Sequence, residues 1–232
     1  MLEKTDIVVP IYNEEETVPE LLRRLREACP GARLIFVDNA STDATCDLLM
    51  EGRITDLVRH EKNLGYGRSL LDGMRHGRGE SVIVIDADLE YFPEDVPALV
   101  ERLGTADAVI GSRFLAGDEA PPAMQWYRSL GNGLVTTLFN VLFRHDLTDL
   151  YTGIRGFRRG ALPLDELESG GFEFVLEISA RLAHAGVRIA EVPARYLPRR
   201  TGSSKMKHLP EFVRFARRLV GLRLGLGRVP AR

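Results

Sequence analysis

The chain has 232 residues, 44% of them hydrophobic and 28% charged, with a formal net charge of −2, which is the composition of a globular protein able to bury a sizeable core. That near-neutral balance argues against a dedicated nucleic-acid binder, and the two cysteines, Cys29 and Cys46, lacking metal-ligand spacing, read as reduced, buried thiols of a cytoplasmic protein. The opening MLEKTDIVVP has no basic-then-apolar leader and no run approaches the ~20 apolar residues of a membrane span, so the expectation is a chain without a signal peptide that does not cross a bilayer.

In chain order, apolar runs at 7–11, 34–37, 54–58, 82–85 and 108–110 predict strands, and 15–28, 42–50, 67–76 and 94–103 predict the helices between them. These strands are apolar on both faces, as in a parallel sheet covered by helices on both sides. Repeated strand–helix units imply a doubly wound, mostly parallel α/β fold. After Gly111 the pattern changes. A loop over 115–123 leads to a helix over 126–143, then a strand over 154–157, a helix over 174–185 and a strand over 188–192. An amphipathic helix over 207–224 closes the chain. One continuous catalytic unit is expected over 1–206, its half 1–112 facing a nucleotide and its half 113–206 completing the cleft, followed by a basic tail over 207–232.

The strand ends carry the polar residues: VVPIYNE, FVDNASTD, HEKNLGYG and IDADLE. In open α/β sheets ligands bind beyond the carboxyl ends of the strands. The run VIVIDADLEYFPED drives an oily strand into Asp86, Asp88 and Glu90. Residues two apart on a strand share a face, so Asp86 and Asp88 converge if strand geometry persists for two more residues, with Glu90 joining them from the turn. Like charges that close disfavour ionisation unless a cation is present. A divalent ion, Mg²⁺ or Mn²⁺, shared with a diphosphate resolves the conflict. The plainer alternative is a set of turn and helix-cap acids before PEDVPALV.

These motifs, followed in order by IGSRF, WYRSLGN, DLYTGIRGF, GFEFVLEI and EVPARYLPRRTGSSK, are together similar to the family-2 glycosyltransferases of the GT-A fold. The nearest resemblance is to the dolichol-phosphate mannose synthase group, which acts on polyprenyl phosphates, and it covers roughly residues 5–215. It implies an inverting transferase. Pro10, Tyr12, Glu14 and Asp38 would hold the base and ribose of a nucleotide-diphosphate sugar. Asp86 and Asp88, with Ala87 between them and Glu90 beyond, would face the metal and diphosphate. Arg113, Arg128, Arg199, Ser204 and Lys205 would form a basic set for the donor diphosphate or the acceptor phosphate, and Asp149 is the candidate base. Glu90 stands where the best-known mannose synthases carry Gln, so mannose is not carried over with the resemblance.

NLGYGRSLLDG fails the dinucleotide fingerprint, because Leu70 occupies the third glycine position. It reads as a tight loop bringing backbone, at Gly65, close to the nucleotide, or as a plain turn. PRRTGSSK offers arginines and hydroxyls suited to phosphate oxygens, or a solvated basic loop. The last helix sets Phe212, Phe215, Ala216, Leu219 and Leu222 near one face, with Arg214, Arg217, Arg218 and Arg223 elsewhere. It either packs on the domain or rests on anionic lipid, and the expectation leans to a peripheral position at the cytoplasmic membrane face. The five histidines show no zinc spacing. The reading is a metal-dependent transferase passing a sugar to a polyprenyl phosphate. A soluble hydroxyl acceptor is the nearest alternative. A sugar-phosphate nucleotidyltransferase is further off, since PIYNEEE stands where its glycine- and arginine-rich loop belongs.

Overall fold

The computed structural model describes residues 1–115, 126–197 and 208–224, without the side chains of residues 126–130, 208–214 and 216. Among these, the apolar runs pair into one seven-stranded sheet in the order β3-β2-β1-β4-β6-β5-β7. The strands are β1 (Thr5–Ile11), β2 (Arg33–Asp38), β3 (Asp56–Arg59), β4 (Ser81–Ile85), β5 (Ala108–Ser112), β6 (Ile154–Arg158) and β7 (Ile189–Pro193). The helices are α1 (Val18–Ala28), α2 (Thr45–Glu51), α3 (Tyr66–His76), α4 (Val96–Arg102), α5 (Trp126–Phe143), α6 (Phe174–His184) and α7 (His208–Arg223). β1 pairs parallel with β2 and β4, β2 with β3, and β5 with β7. β6 alone runs antiparallel, between β4 and β5.

β1 is buried along its whole length, and its alternation feeds two cores. Ile7, Val9 and Ile11 meet Val18, Leu21, Leu22 and Leu25 of α1 and Leu99 of α4. Val8, on the other face, meets Leu70, Leu71 and Met74 of α3 and Phe174 and Ile178 of α6. Each such side chain, fully buried, contributes ~1.5–3 kcal/mol. Gly73 lets α3 lie directly on the sheet, because a Cβ there would stand 2.4 Å from Val8 Cγ1 and 2.8 Å from Val37 Cγ2.

Two helices begin three residues later than their patterns predict. Residues before α1 form a turn in which Thr17 N–H donates to the Glu14 carbonyl at 3.0 Å. Those before α2 are held instead by side chains: Ser41 N–H reaches Asp38 Oδ1, and Ala44 N–H reaches Glu15 Oε2. Such local bonds compete with helix formation.

A third cluster lies beyond β5, where Ile110 meets Val135 and Phe139 of α5, Leu176 and Ala180 of α6, and Phe215 and Leu219 of α7. Phe215 and Leu219 of the apolar stripe of α7 are therefore spent inside the protein. Arg218 Nη2 reaches Glu177 Oε1 at 3.0 Å, and Arg223 Nε donates to the Leu142 carbonyl at 2.8 Å. For these two residues the packed alternative holds: Leu219 and Phe215 gain from a dry protein interior already shaped for them, and among the described side chains Arg217, Val220, Arg223 and Leu224 are exposed. Among the described residues no helix is long and apolar enough to cross a membrane.

Candidate active site

The parallel topology brings the ends of β1, β2, β3 and β4 to one edge of the sheet, where three loops lace together. Asn13 N–H donates to Ser41 Oγ at 3.0 Å and Thr42 N–H to Asn13 Oδ1 at 2.8 Å. Glu14 N–H donates to Thr45 Oγ1 at 2.8 Å. Asn39 Nδ2 donates to Asn63 Oδ1 at 3.0 Å, while Asn39 Oδ1 accepts Leu64 N–H at 2.8 Å and lies 3.0 Å from His60 Nδ1. Asn13 and Ala40 hold φ of 53° and 66°, a left-handed conformation that costs a non-glycine residue roughly 1 kcal/mol or more and that the surrounding bonds enforce. Sequence reasoning missed Asn13, Asn39 and Asn63 as organisers of these loops, although asparagine clustered at strand ends is the signal for such turns.

Of the residues assigned to the donor nucleotide, Tyr12 and Glu14 are half-buried on the first of these loops. Pro10 is buried within β1 and offers backbone shape. Asp38 is 1% exposed, with one oxygen accepting Ser41 N–H at 2.9 Å. Gly65 carries a different burden from the one expected. Its φ is 94°, and a Cβ on it would fall 2.4 Å from the Gly170 carbonyl; on Gly67 it would fall 2.5 Å from Phe174 Cβ. These glycines admit the 169–171 backbone against the start of α3, and Gly170 O accepts the Arg68 amide there. Internal packing accounts for both glycines.

The acids follow β4, which stops at Ile85. Asp86 N–H donates to the Gly153 carbonyl at 3.2 Å, and Asp86 Oδ1 accepts the Tyr66 hydroxyl at 2.8 Å. Burial, aided by the Asp86 charge, pushes the Tyr66 phenol well above its ordinary range, so it acts as a donor. Asp88 Oδ1 accepts Glu90 N–H at 3.0 Å and Leu89 has φ 59°. The chain thus turns instead of continuing as a strand, and the two-residue strand alignment of Asp86 and Asp88 fails. Among the described residues no three acidic, imidazole or thiol side chains converge on a metal position. Ala87 is turned into the core, 4% exposed. The turn is braced from the far side of the sheet. Tyr91 bridges to Tyr196 with ring centroids 5.5 Å apart, and Leu197 N–H donates to the Glu90 carbonyl at 2.9 Å.

Asp149 departs most from its expected role. It is fully buried, and its carboxylate accepts Arg113 N–H at 3.0 Å, Arg113 Nε at 2.7 Å, Arg113 Nη2 at 2.9 Å and Asn132 Nδ2 at 2.9 Å. Burial pushes this carboxyl up, but the hydrogen bonds and charge of Arg113 more than offset it and hold it below its usual range. A carboxylate so engaged acts as a counter-ion to Arg113 and is a poor base. The same pairing commits Arg113, whose guanidinium also donates to the Tyr151 carbonyl at 2.8 Å and lies 5.3 Å over the Tyr196 ring. Glu191 caps the adjoining turn by accepting Thr148 N–H and Asp149 N–H at 2.9 and 3.0 Å. Beneath it, Arg155 is buried among neutral acceptors, the carbonyls of Leu150 and Thr152 and Ser179 Oγ. Arg128 stands one helical turn before Asn132 on α5, and its side chain, with Arg199, Ser204 and Lys205, lies outside the described residues. A groove of about 760 Å³ at the opposite edge, lined by Lys4, Glu80, Asp107 and Arg158, contains none of the predicted site residues.

A mostly parallel sheet with acids and laced polar loops at its strand ends, and one antiparallel strand beyond the acidic turn, is the GT-A type of architecture. It is similar to glucosyl-3-phosphoglycerate synthase from Mycobacterium tuberculosis, solved with Mn²⁺, UDP and phosphoglyceric acid. The TM-score is 0.68 at 20% identity, covering 98% of this chain and 79% of that one. A structure of the same enzyme with Mg²⁺ and UDP gives 0.68 at 19%, covering 98% and 80%. The fold is thus of the GT-A type. The chain belongs to glycosyl transferase family 2, whose profile matches residues 6–163, and it is a nucleotide-sugar-dependent glycosyltransferase. It is 35% identical, over 86% of both chains, to undecaprenyl-phosphate mannosyltransferase of Micrococcus luteus. It is 31% identical to polyprenol monophosphomannose synthase of Mycolicibacterium smegmatis, over 88% of this chain and 81% of that one.

Proposed function

We propose that this enzyme transfers a hexosyl group, with inversion, from a nucleotide-diphosphate sugar to a polyprenyl phosphate at the cytoplasmic face of a membrane. The observation that carries the reading is the similarity, over 86% of both chains, to an enzyme named for mannosyl transfer to undecaprenyl phosphate. The state of Asp149 supports it. An alcohol acceptor sheds a proton as it attacks and needs a positioned base. A phosphate monoester, with a second pKa of about 6, is already anionic near neutrality. Its oxygen forms the bond to the anomeric carbon as the bond from that carbon to the diphosphate oxygen breaks, and the nucleoside diphosphate departs. Residues 1–112 would then hold the donor, through Tyr12, Glu14 and Asp38 around base and ribose. Residues 113–206 would hold the acceptor, through Arg128, Arg199, Ser204 and Lys205. Leu197, the last described residue before the basic segment in the sequence, donates its N–H to the Glu90 carbonyl of the acidic turn.

Asp86 and Asp88 supply hard oxygens on one turn. Two carboxylates completed by substrate phosphate oxygens are an ordinary way to hold Mg²⁺ or Mn²⁺, so the residues fit such an ion. When bound, it would serve as a Lewis acid toward the departing diphosphate. Membrane contact is supported by the outer surface of α5 and α7, where Leu134, Val141, Val220 and Leu224 are 50%, 73%, 41% and 67% exposed beside exposed Arg217 and Arg223. Apolar side chains interspersed with cations suit an anionic lipid surface. The test is to incubate the purified protein and Mn²⁺ with labelled GDP-mannose and UDP-hexoses and undecaprenyl phosphate. One donor should deliver label to the organic phase. Retention of all label in water, with every donor, overturns the proposal.

A further inference from the structure

The residue that holds Asp86 is not an acid, and it sits in a segment whose glycines drew the eye first. Tyr66 opens α3 between Gly65 and Gly67, both pressed against the 169–171 backbone too closely to admit a Cβ. Its ring stacks on Phe172, with centroids 5.1 Å apart and planes 23° from parallel. Phe172 is tied in turn, its carbonyl accepting the Tyr151 hydroxyl at 2.9 Å. Backbone and ring are therefore fixed before the hydroxyl reaches Asp86 Oδ1 at 2.8 Å. Across the carboxylate stands Gly153, where a Cβ would come 2.0 Å from Asp86 Oδ2 and 2.8 Å from the Tyr91 ring. Asp86 thus lies between a rigid hydroxyl donor and a wall that only glycine can form, with its own amide bonded to the Gly153 carbonyl.

From this geometry we propose that Tyr66 is a positioning residue of the donor site, fixing the rotamer of Asp86 so that the carboxylate meets the cation–diphosphate pair without rearrangement. The inference rests on the donor-site reading given above. A carboxylate that is free to turn must be ordered when the donor binds, and a fixed one need not. Outer hydrogen-bond partners of metal-ligating groups are worth about 10–100-fold in metal affinity or activity. Removing the hydroxyl alone should fall in that range, because the ring, the Phe172 stack and the fold are kept.

The test compares wild type with Tyr66→Phe by calorimetric titration of UDP and GDP in the presence of Mn²⁺, with donor KM, acceptor KM and kcat measured beside it. The expected result is about 10-fold weaker Mn²⁺-dependent nucleotide binding and a matching fall in kcat or rise in donor KM. Acceptor KM and Tm should be unchanged. Phe172→Leu, which removes the stack but keeps the hydroxyl, separates ring packing from hydrogen bonding: it should lower Tm and weaken nucleotide binding less than Tyr66→Phe. Wild-type binding and kcat in Tyr66→Phe overturn the inference while leaving the donor site intact. A wild-type protein with no Mn²⁺-dependent nucleotide binding overturns both the inference and the donor-site reading.

Discussion

Asp149→Asn places a single neutral group where a buried cation needs an anion. The Arg113 and Asp149 side chains are 9% and 0% exposed. One carboxylate oxygen accepts Arg113 N–H and Nε, and the other accepts Arg113 Nη2 and Asn132 Nδ2. Whichever way the amide of an asparagine is turned, its NH₂ meets two donors and the guanidinium loses its counter-ion. Breaking a buried pair by removing one partner costs about 3–5 kcal/mol. For a chain of this length each kcal/mol moves Tm by roughly 2–4 °C, so thermal melting followed by circular dichroism should show a fall of about 6–20 °C. Measured well below the transition, kcat should stay within a few-fold of wild type. Arg113→Met combined with Asp149→Leu should recover much of the lost stability, since an apolar pair can replace a buried ion pair at little cost. An unchanged Tm together with a loss of about 10²–10⁴-fold in kcat, the usual effect of deleting a general base, would refute the assignment of Asp149 as a counter-ion.

Asp56 is held down to about 2 by its hydrogen bonds to Arg33, with His76 adding to the effect, against about 3.9 for an unfolded aspartate. Its contribution to stability is therefore present above the unfolded value and is lost as pH falls from about 4 toward 2. Denaturant unfolding of Asp56→Asn should show lower stability at pH 7 and a shallower decline over that window, whereas curves parallel to wild type would show that the pair contributes nothing. Leu134→Glu with Val141→Glu should reduce co-sedimentation with anionic vesicles, and wild-type binding should weaken in high salt. Undiminished sedimentation of the double variant would remove α5 from any membrane contact.

The sheet was legible because β1 and β4 are apolar on both faces, and the bounds of α5 matched the predicted 126–143. The direction of β6 was not legible. Ile154–Arg158 reads as a strand either way, and its place between β4 and β5 depends on the pairings Val82 to Phe157 and Ala108 to Phe157, which no local pattern encodes. The helix starts were missed because competing bonds hold the residues before them, the Thr17 to Glu14 turn before α1 and, before α2, Ser41 to Asp38 and the cross-loop bond of Ala44 to Glu15. The acids at Asp86 and Asp88 were legible from the oily strand that delivers them, but the strand periodicity that aligned them ends with β4 at Ile85. The pairing of Asp149 was not legible because its partner lies 36 residues away, and a lone aspartate in a motif carries no sign that it is already paired. Tyr66 was not legible as a site residue because its role depends on Phe172 and Asp86, whereas the sequence shows only a tyrosine between two glycines.

The central claim is that the acceptor is a phosphate, and one comparison addresses it directly. Purified protein is supplied with its active nucleotide sugar and Mn²⁺, and in parallel with undecaprenyl phosphate or with undecaprenol, the same chain ending in a hydroxyl. Transfer is followed as labelled sugar in the organic phase and as nucleoside diphosphate released. The account predicts transfer to the phosphate, with equimolar release of the nucleoside diphosphate and no labelled product from the alcohol. Transfer to undecaprenol at a comparable rate, or to neither lipid while a soluble hydroxyl acceptor is glycosylated, would contradict it.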